Sequence, residues 1–305
     1  MRHPSLLILL LLPALLGQAP APVEGDPAAR SRRDFLRELY LGDASGYTIY
    51  RDAGRQEKAE LRREPAYVWT NPTRNHGQDG HVFVWTYRGR PEAVGTIFSS
   101  PALGPREVLH ELHSLSNAVL VVDRAGPRGW SPLQPGVDLK PIPGAPAPAR
   151  TAPQRLAQMR ALIREFSASA VDIKGERWEL RVLPQPLYRY ESTDPEVLDG
   201  ALFTLVSTAG TDPELIVVLE ARKAPGDPPA ALSWQFAAAR FTDMALSVRH
   251  KDKVVYTAPV IPWDAALKDP THRYHLINDR TIPPVEEAGA ATDPSTNPKD
   301  PGPKP

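Results

Sequence analysis

No cysteine occurs anywhere in the 305 residues. Disulfides, thiolate metal sites, thiol nucleophiles and a lipidated N-terminal cysteine are therefore excluded, and the folded chain must be held by its core alone. Neither sign of charge is in excess, since Lys plus Arg and Asp plus Glu both number 36. With no long single-sign block, nothing favours nucleic acid or an anionic membrane surface as a partner. Catalytic signatures are missing as well. The chain has no Gly-x-Ser-x-Gly elbow, glycine-rich phosphate loop or calcium-loop spacing. Asn71-Pro72-Thr73 is no glycosylation acceptor, because proline holds its middle position. These absences weigh against an enzyme without removing the option, since a scattered triad leaves no local trace.

Proline, by contrast, is abundant at 35 residues, and it concentrates in two places. Between Pro135 and Pro153 six of nineteen residues are proline, a composition that favours extended polyproline II and builds no core. From Pro283 to Pro305 seven of 23 are proline, which reads as a disordered tail. At the other end Arg2 precedes an eleven-residue apolar run, Leu6 to Leu16, too short to cross a bilayer. It reads as a signal peptide over residues 1–25, with an uncleaved anchor as the alternative, and places the protein in the periplasm or outside the cell. No stable membrane span is expected once the signal is cleaved.

What the chain does contain is itself, twice. Glu60-Leu61-Arg62 recurs as Glu179-Leu180-Arg181, Asp79-Gly80 with Phe83 as Asp199-Gly200 with Phe203, and Arg90-Pro91-Glu92 as Asp212-Pro213-Glu214. Leu115-Ser116-Asn117 aligns with Phe241-Thr242-Asp243, and Trp130-Ser131 with Tyr256-Thr257. The spacing drifts from 119 to 126, as loop insertions would cause. Each copy opens with an amphipathic stripe. Ala28 to Leu41 carries Phe35, Leu36, Leu39 and Tyr40, with Gly42 as a stop. Thr151 to Phe166 carries Leu156, Met159, Leu162, Ile163 and Phe166, with Thr151 at the N-cap and Pro153 in the first turn.

After each helix the period shortens to two. Six strands are predicted in the first copy, within 47–51, 59–64, 81–87, 93–98, 108–115 and 119–123. Six more follow within 168–173, 178–183, 201–206, 215–222, 234–241 and 245–250. Connections as short as Arg88-Gly89-Arg90-Pro91 forbid parallel crossovers, so the sheets are antiparallel meanders. His81, Phe83, Trp85 and Tyr87 fall on one face of their strand and Val82, Val84 and Thr86 on the other. Both faces are apolar enough to be buried, as they would be between a helix and a second sheet. The expected fold is α+β, mainly β: two tandem repeats, each a helix followed by a curved antiparallel sheet, cystatin-like, NTF2-like or sandwich-like. The expected organisation is a first repeat over 27–134, a Pro-rich linker over 135–153, a second repeat over 151–262 and an extended tail over 263–305.

Trp69-Thr70-Asn71-Pro72, Gly89-Arg90-Pro91-Glu92 and the segment from His110 to Leu115, with the later Glu179-Leu180-Arg181 strand, together resemble an uncharacterised family of secreted planctomycete-type proteins. The resemblance spans nearly the whole mature chain. It implies export but no activity, cofactor or site residue.

Candidate site residues come from comparing the two copies. His110-Glu111-Leu112-His113 is one residue short of the metalloprotease His-Glu-x-x-His, and a strand sends its histidines to opposite faces. The same strand aligns Glu111 with His113, whose counterparts in the second copy are Ala237 and Ala239. A carboxylate and an imidazole in one copy against two methyl groups in the other is the sharpest asymmetry in the sequence. Such a pair can act as acid and base, or serve only as a hydrogen-bonded polar pair. His76 and His81, flanking the turn Gly77-Gln78-Asp79-Gly80, would join His113 in a metal centre if the strands paired suitably, but turn chemistry explains that stretch without a ligand. Tyr67, Trp69, Trp85 and Tyr87 offer flat rings for a groove, yet Tyr188, Tyr190 and Phe203 stand at similar places in the second copy, which favours a core role.

The sequence thus predicts a non-catalytic binding or structural protein of the cell envelope, partnered by an envelope or extracellular ligand or protein. Its candidate binding residues are Glu111, His113, Trp69, Asn71, Trp85 and His81, with no catalytic residue, metal or cofactor. The alternatives are a hydrolase or small-ligand protein using Glu111 and His113, and a carrier of an apolar molecule inside a cone-shaped sheet.

Overall fold

The computed structural model describes residues 27–71, 77–101, 105–126, 128–208, 210–223 and 232–283. The signal-peptide stretch, His76 and the chain from 284 onward lie outside them. The first repeat comprises α1 (Pro27–Ser45), β1 (Tyr47–Tyr50), β2 (Lys58–Leu61), β3 (Tyr67–Asn71), β4 (Gln78–Tyr87), β5 (Arg90–Pro101), β6 (Arg106–Ser114) and β7 (Val121–Arg124). A short β8 (Lys140–Pro141) precedes the second repeat. That repeat comprises α2 (Ala152–Ile163), β9 (Phe166–Val171), β10 (Arg177–Val182), β11 (Tyr188–Tyr190), β12 (Val197–Val206), β13 (Pro213–Lys223), β14 (Leu232–Arg240), β15 (Ala245–His250) and β16 (Lys253–Ala258). The chain continues into α3 (Trp263–Lys268) and β17 (Tyr274–Ile282).

Every strand pair is antiparallel, and the two sheets share one plan. The first runs β17-β6-β5-β4-β2-β1-β7 with β3 also on β4, and the second β16-β15-β9-β10-β12-β13-β14-β8 with β11 also on β12. The register of the duplication follows from the pairing. Phe83 lies opposite Gly95 and Gly95 opposite Leu112, while Phe203 lies opposite Val217 and Val217 opposite Ala238. Leu112 therefore corresponds to Ala238, Glu111 to Ala237 and His113 to Ala239. The same hydrogen bond closes both copies, from Leu115 to the Glu92 carbonyl and from Phe241 to the Glu214 carbonyl. In each copy an aromatic ring also lies flat on a glycine. Trp69 covers Gly80 and Tyr190 covers Gly200, and a Cβ at either glycine would run into the ring.

The layers follow from the two-faced strands. Phe83, Trp85, Ile97, Val108 and Leu112 pack under Leu36, Tyr40 and Ala44 of α1. Phe203, Leu205, Leu215 and Val217 pack under Met159, Leu162 and Ile163 of α2. The remaining faces meet each other, with Val82, Val84, Val94 and Leu109 of the first sheet in one core with Leu202, Ile216, Val218, Ala237 and Ala239 of the second. The result is two curled sheets face to face, each with its helix outside.

Five expectations are corrected. α1 runs through Gly42 to Ser45, because burying Ala44 and engaging Asp43 outweigh the roughly 1 kcal/mol that a helical glycine costs. α2 stops at Ile163 instead of Phe166, which starts β9 and packs on Phe236. The Pro-rich linker does contribute to cores, burying Val137 and Ile142, and its β8 pairs with β14. Next, residues 263–282 are not an extended tail. α3 and β17 occupy it, and β17 completes the first sheet by pairing along β6. Each repeat thus ends on a bare strand edge, covered by a strand from outside it. The match of Trp130 to Tyr256 also fails, since Tyr256 lies in β16 whereas Trp130 is buried beneath α1 and donates to the His272 carbonyl.

Polar contacts fix the meeting of the sheets. Arg90 leaves the tight β4–β5 turn, where Arg88 and Gly89 both take positive φ. Its Nε donates to Glu220 (2.9 Å) and its Nη1 to Glu92 (3.3 Å) and to the carbonyls of Pro91 and Leu115. Tyr190 and Arg222 also donate to Glu220, at 2.6 and 2.8 Å. Burial alone would raise the Glu220 carboxyl, but Arg90, Tyr190 and Arg222 hold it below its ordinary range. Arg90→Met should cost about 3–5 kcal/mol, because Glu92 and Glu220 stay buried with part of their compensation gone. Urea unfolding measures it, and a loss under about 1 kcal/mol would contradict this account.

Candidate functional site

β6 alternates between the two layers. Leu109, Glu111 and His113 point into the contact between the sheets, whereas His110 and Leu112 point toward α1. Glu111 sits on a cavity of about 460 Å³ between the repeats, within the few-hundred-Å³ range of small-molecule sites. From the first repeat the wall includes Trp69, Gln78, Thr96 and Phe98. From the second it includes Trp178, Asp212, Glu214, Phe241, Thr242 and Asp243, and Trp263, Tyr274 and Leu276 join from the C-terminal elements.

β17 supplies the residue that organises this floor. Pairing places Leu276 opposite Glu111 and Tyr274 opposite His113, and the Tyr274 hydroxyl donates to Glu111 Oε1 at 2.6 Å. The guanidinium of Arg240 stacks over the Tyr274 ring at 5.2 Å. Its nitrogens donate to the carbonyls of Thr242 (2.9 Å), Pro259 (3.0 Å) and Met244 (2.7 Å), so it fixes the segment that brings Thr242 and Asp243 to the wall. Opposite, Trp69 is held on Gly80 by its Nε1 donating to Thr96 Oγ1 at 2.9 Å.

Glu111 retains some accessible surface, yet protein surrounds it closely. Burial pushes its carboxyl well above the ordinary value of 4.5. The Tyr274 hydrogen bond opposes the shift, and the negative charges of Glu214, Asp243 and Asp212 add to it.

The six predicted residues separate into three groups. Glu111 and Trp69 line the cavity. His113 shares their face but is buried outside the lining. Its Nδ1 is 2.6 Å from the Ser114 carbonyl, which can only accept, so Nδ1 carries the proton. Burial drives its pKa down to about 3. Asn71 is buried at the seam, its amide donating to Asp212 at 3.1 Å. Trp85 and His81 face α1, on the opposite side of the sheet. Trp85 packs edge-on to Tyr47, and His81 packs edge-on to Tyr40 with its pKa lowered by burial to about 4. His81 and His113 therefore do not meet.

Sequence reasoning missed Tyr274, Asp243, Glu214, Trp178 and Trp263. For Tyr274 a signal was present, since Tyr274-His275-Leu276-Ile277 has strand character within a stretch read by its prolines. The others come from separate elements, Trp178 from β10, Glu214 from β13, Trp263 from α3 and Asp243 from the β14–β15 turn, and share no local pattern. A further polar group lies on the α1 side, where Asp43, His110 and Asp279 offer ligand atoms within 4.8 Å of one another. Arg280 pairs with both carboxylates and Arg124 with Asp279, so two guanidiniums already neutralise them. A cation gains little there.

No family model, curated protein or solved structure matches the chain. By themselves the fold and cavity define a duplicated, mainly β α+β protein whose repeats enclose a cavity with a carboxyl floor and aromatic walls.

A carboxyl raised on folding favours the folded state while protonated and opposes it once ionised. Stability carried by Glu111 is thus present below pH 4.5 and is lost as the pH rises toward the folded value. Glu111→Gln removes this dependence. Its unfolding free energy relative to wild type should improve as the pH is raised, by at most about 1.4 kcal/mol per unit. Urea unfolding across a pH series checks it, and a flat difference would refute the assignment.

Proposed function

We propose that this is a non-catalytic binding protein of the cell envelope, whose two repeats jointly hold one small molecule in the cavity between the sheets. One observation carries the reading: Glu111 occupies the cavity floor at the position where the sister strand has Ala237. A purely architectural duplication gains nothing from a carboxyl there, because burying one without a cation partner costs free energy. Tyr274 orients that carboxyl, and aromatic rings from both repeats supply flat walls.

The hydrolytic alternative, with Glu111 and His113 as acid and base, draws no support from the geometry. His113 is outside the cavity wall, and burial holds it neutral. A carrier of purely apolar molecules fits poorly with a carboxyl floor. The envelope location rests on the Leu6–Leu16 run and on the resemblance to secreted planctomycete-type proteins.

Saturation-transfer NMR against a fragment library, on the purified chain, tests the proposal. Hits should compete for one site per chain, quench tryptophan fluorescence, and bind Glu111→Ala at least about tenfold more weakly, a difference of about 1.4 kcal/mol. Hits that bind Glu111→Ala and wild type alike would overturn it.

A further inference from the structure

Taking the cavity as the binding site proposed above, we infer that its ligand is an uncharged molecule, a carbonyl group carried on a flat apolar body, and that Glu111 receives it as a hydrogen-bond donor.

Glu111 has one bonding partner among the described residues, the Tyr274 hydroxyl, and no ion pair. Arg240 is near enough to act on its charge. Its three guanidinium nitrogens nevertheless go to backbone carbonyls and its plane to the Tyr274 ring. A carboxyl that is closely surrounded and has no cation is more stable as the neutral acid. Burial is the largest influence on Glu111 and keeps it protonated well above the ordinary 4.5. Glu214, Asp243 and Asp212 also face it, each with partners of its own, and their effect is smaller than that of burial. In the β9–β10 turn Asp172 and Lys174 add one charge of each sign to the wall. His113, on the same strand, is neutral.

The hydrogen bond fixes where the proton sits. Tyr274 keeps its own hydrogen, because burial raises its hydroxyl well above the usual 10, and directs it to Oε1. The acid hydrogen is left to Oε2, and Glu111 keeps accessible surface on the cavity that it lines. The floor therefore offers an O–H, whose complement is an acceptor. A carbonyl oxygen accepts without bringing a hydrogen that would need a buried partner in turn. Around the floor the wall is apolar and flat, with Trp69, Phe98, Phe241 and Leu276, and Trp178 and Trp263 extend the aromatic surface. Such rings favour an aromatic or conjugated body beside the carbonyl.

Three probes of similar shape test this on the full chain by ligand-observed NMR titration at mildly acid pH: acetophenone, benzylammonium and benzoate. Acetophenone should bind at least about tenfold more tightly than either charged probe. As the pH is raised through the folded value of Glu111 the donor is lost, and the affinity for acetophenone should fall by up to about tenfold per unit. Glu111→Gln keeps an N–H donor at the same place, so it should bind acetophenone within about threefold of wild type and show no such fall. Glu111→Ala should weaken acetophenone by about tenfold. Tyr274→Phe keeps the ring and removes the bond that favours the ionised carboxylate, so the fall should move to higher pH. That shift keeps the test sharp even if a Glu111 variant folds poorly. Failure of acetophenone to exceed the charged probes, a flat pH profile, or binding to Glu111→Gln as weak as to Glu111→Ala would overturn the uncharged ligand class while leaving a ligand cavity in place. If no probe binds, the fragment screen decides: competing hits that are uncharged carbonyl compounds support the inference, and any others overturn it. Failure of all three probes together with an empty screen would overturn both readings.

Discussion

Each central strand of this protein is apolar on both faces, and that constraint shapes everything else. Val82 and Val84 cannot be buried by the element that buries Phe83 and Trp85, so a sheet of such strands needs two covers. The amphipathic helix of each repeat supplies one. The other repeat supplies the second, because its sheet faces the same difficulty. Without cysteine no covalent staple shares the task, and the contact between the sheets is a core in its own right.

A core made from two like surfaces needs something to fix how they meet. Arg90 does so, reaching from the β4–β5 turn of one repeat to Glu220 in the sheet of the other while holding Glu92 beside it. Asn71 with Asp212, and Ser192 with the Arg88 carbonyl, add contacts between β3, or the loop after β11, of one repeat and the opposite hairpin of the other. These polar bonds give modest net stability, but their directions admit one register. The cavity is the consequence. Where Phe241, Tyr274 and Trp69 hold the curled sheets apart near Glu111, the space between them is not filled.

Duplication also separates architecture from function within one molecule. Trp69 over Gly80 and Tyr190 over Gly200 repeat the same packing, so those rings belong first to the fold. Glu92 and Glu214 hold equivalent backbone positions, yet one is tied to arginines in the seam and the other lines the cavity. Glu111 against Ala237 is the sharpest divergence. It was visible before the structure, because self-comparison needs only a register. Its partner Tyr274 was not, because β17 lies 163 residues along the chain and its role arises only once it pairs with β6.

The sequence alone determined the repeat, the helix in each copy, the antiparallel meanders and the two-faced strands. These follow from local periodicity, short turns and comparison of the chain with itself. It also determined that Glu111 and His113 share a face, since alternation along a strand requires it. Only the tertiary structure decided that His113 is sealed away while Glu111 opens on a cavity, and that Trp85 and His81 belong to the α1 side. It alone decided that a segment rich in turn-forming residues closes the first sheet. The physical reason is common to all three. A bare strand edge accepts whichever strand the rest of the chain brings to it, and a cavity wall is assembled from segments that share no local pattern.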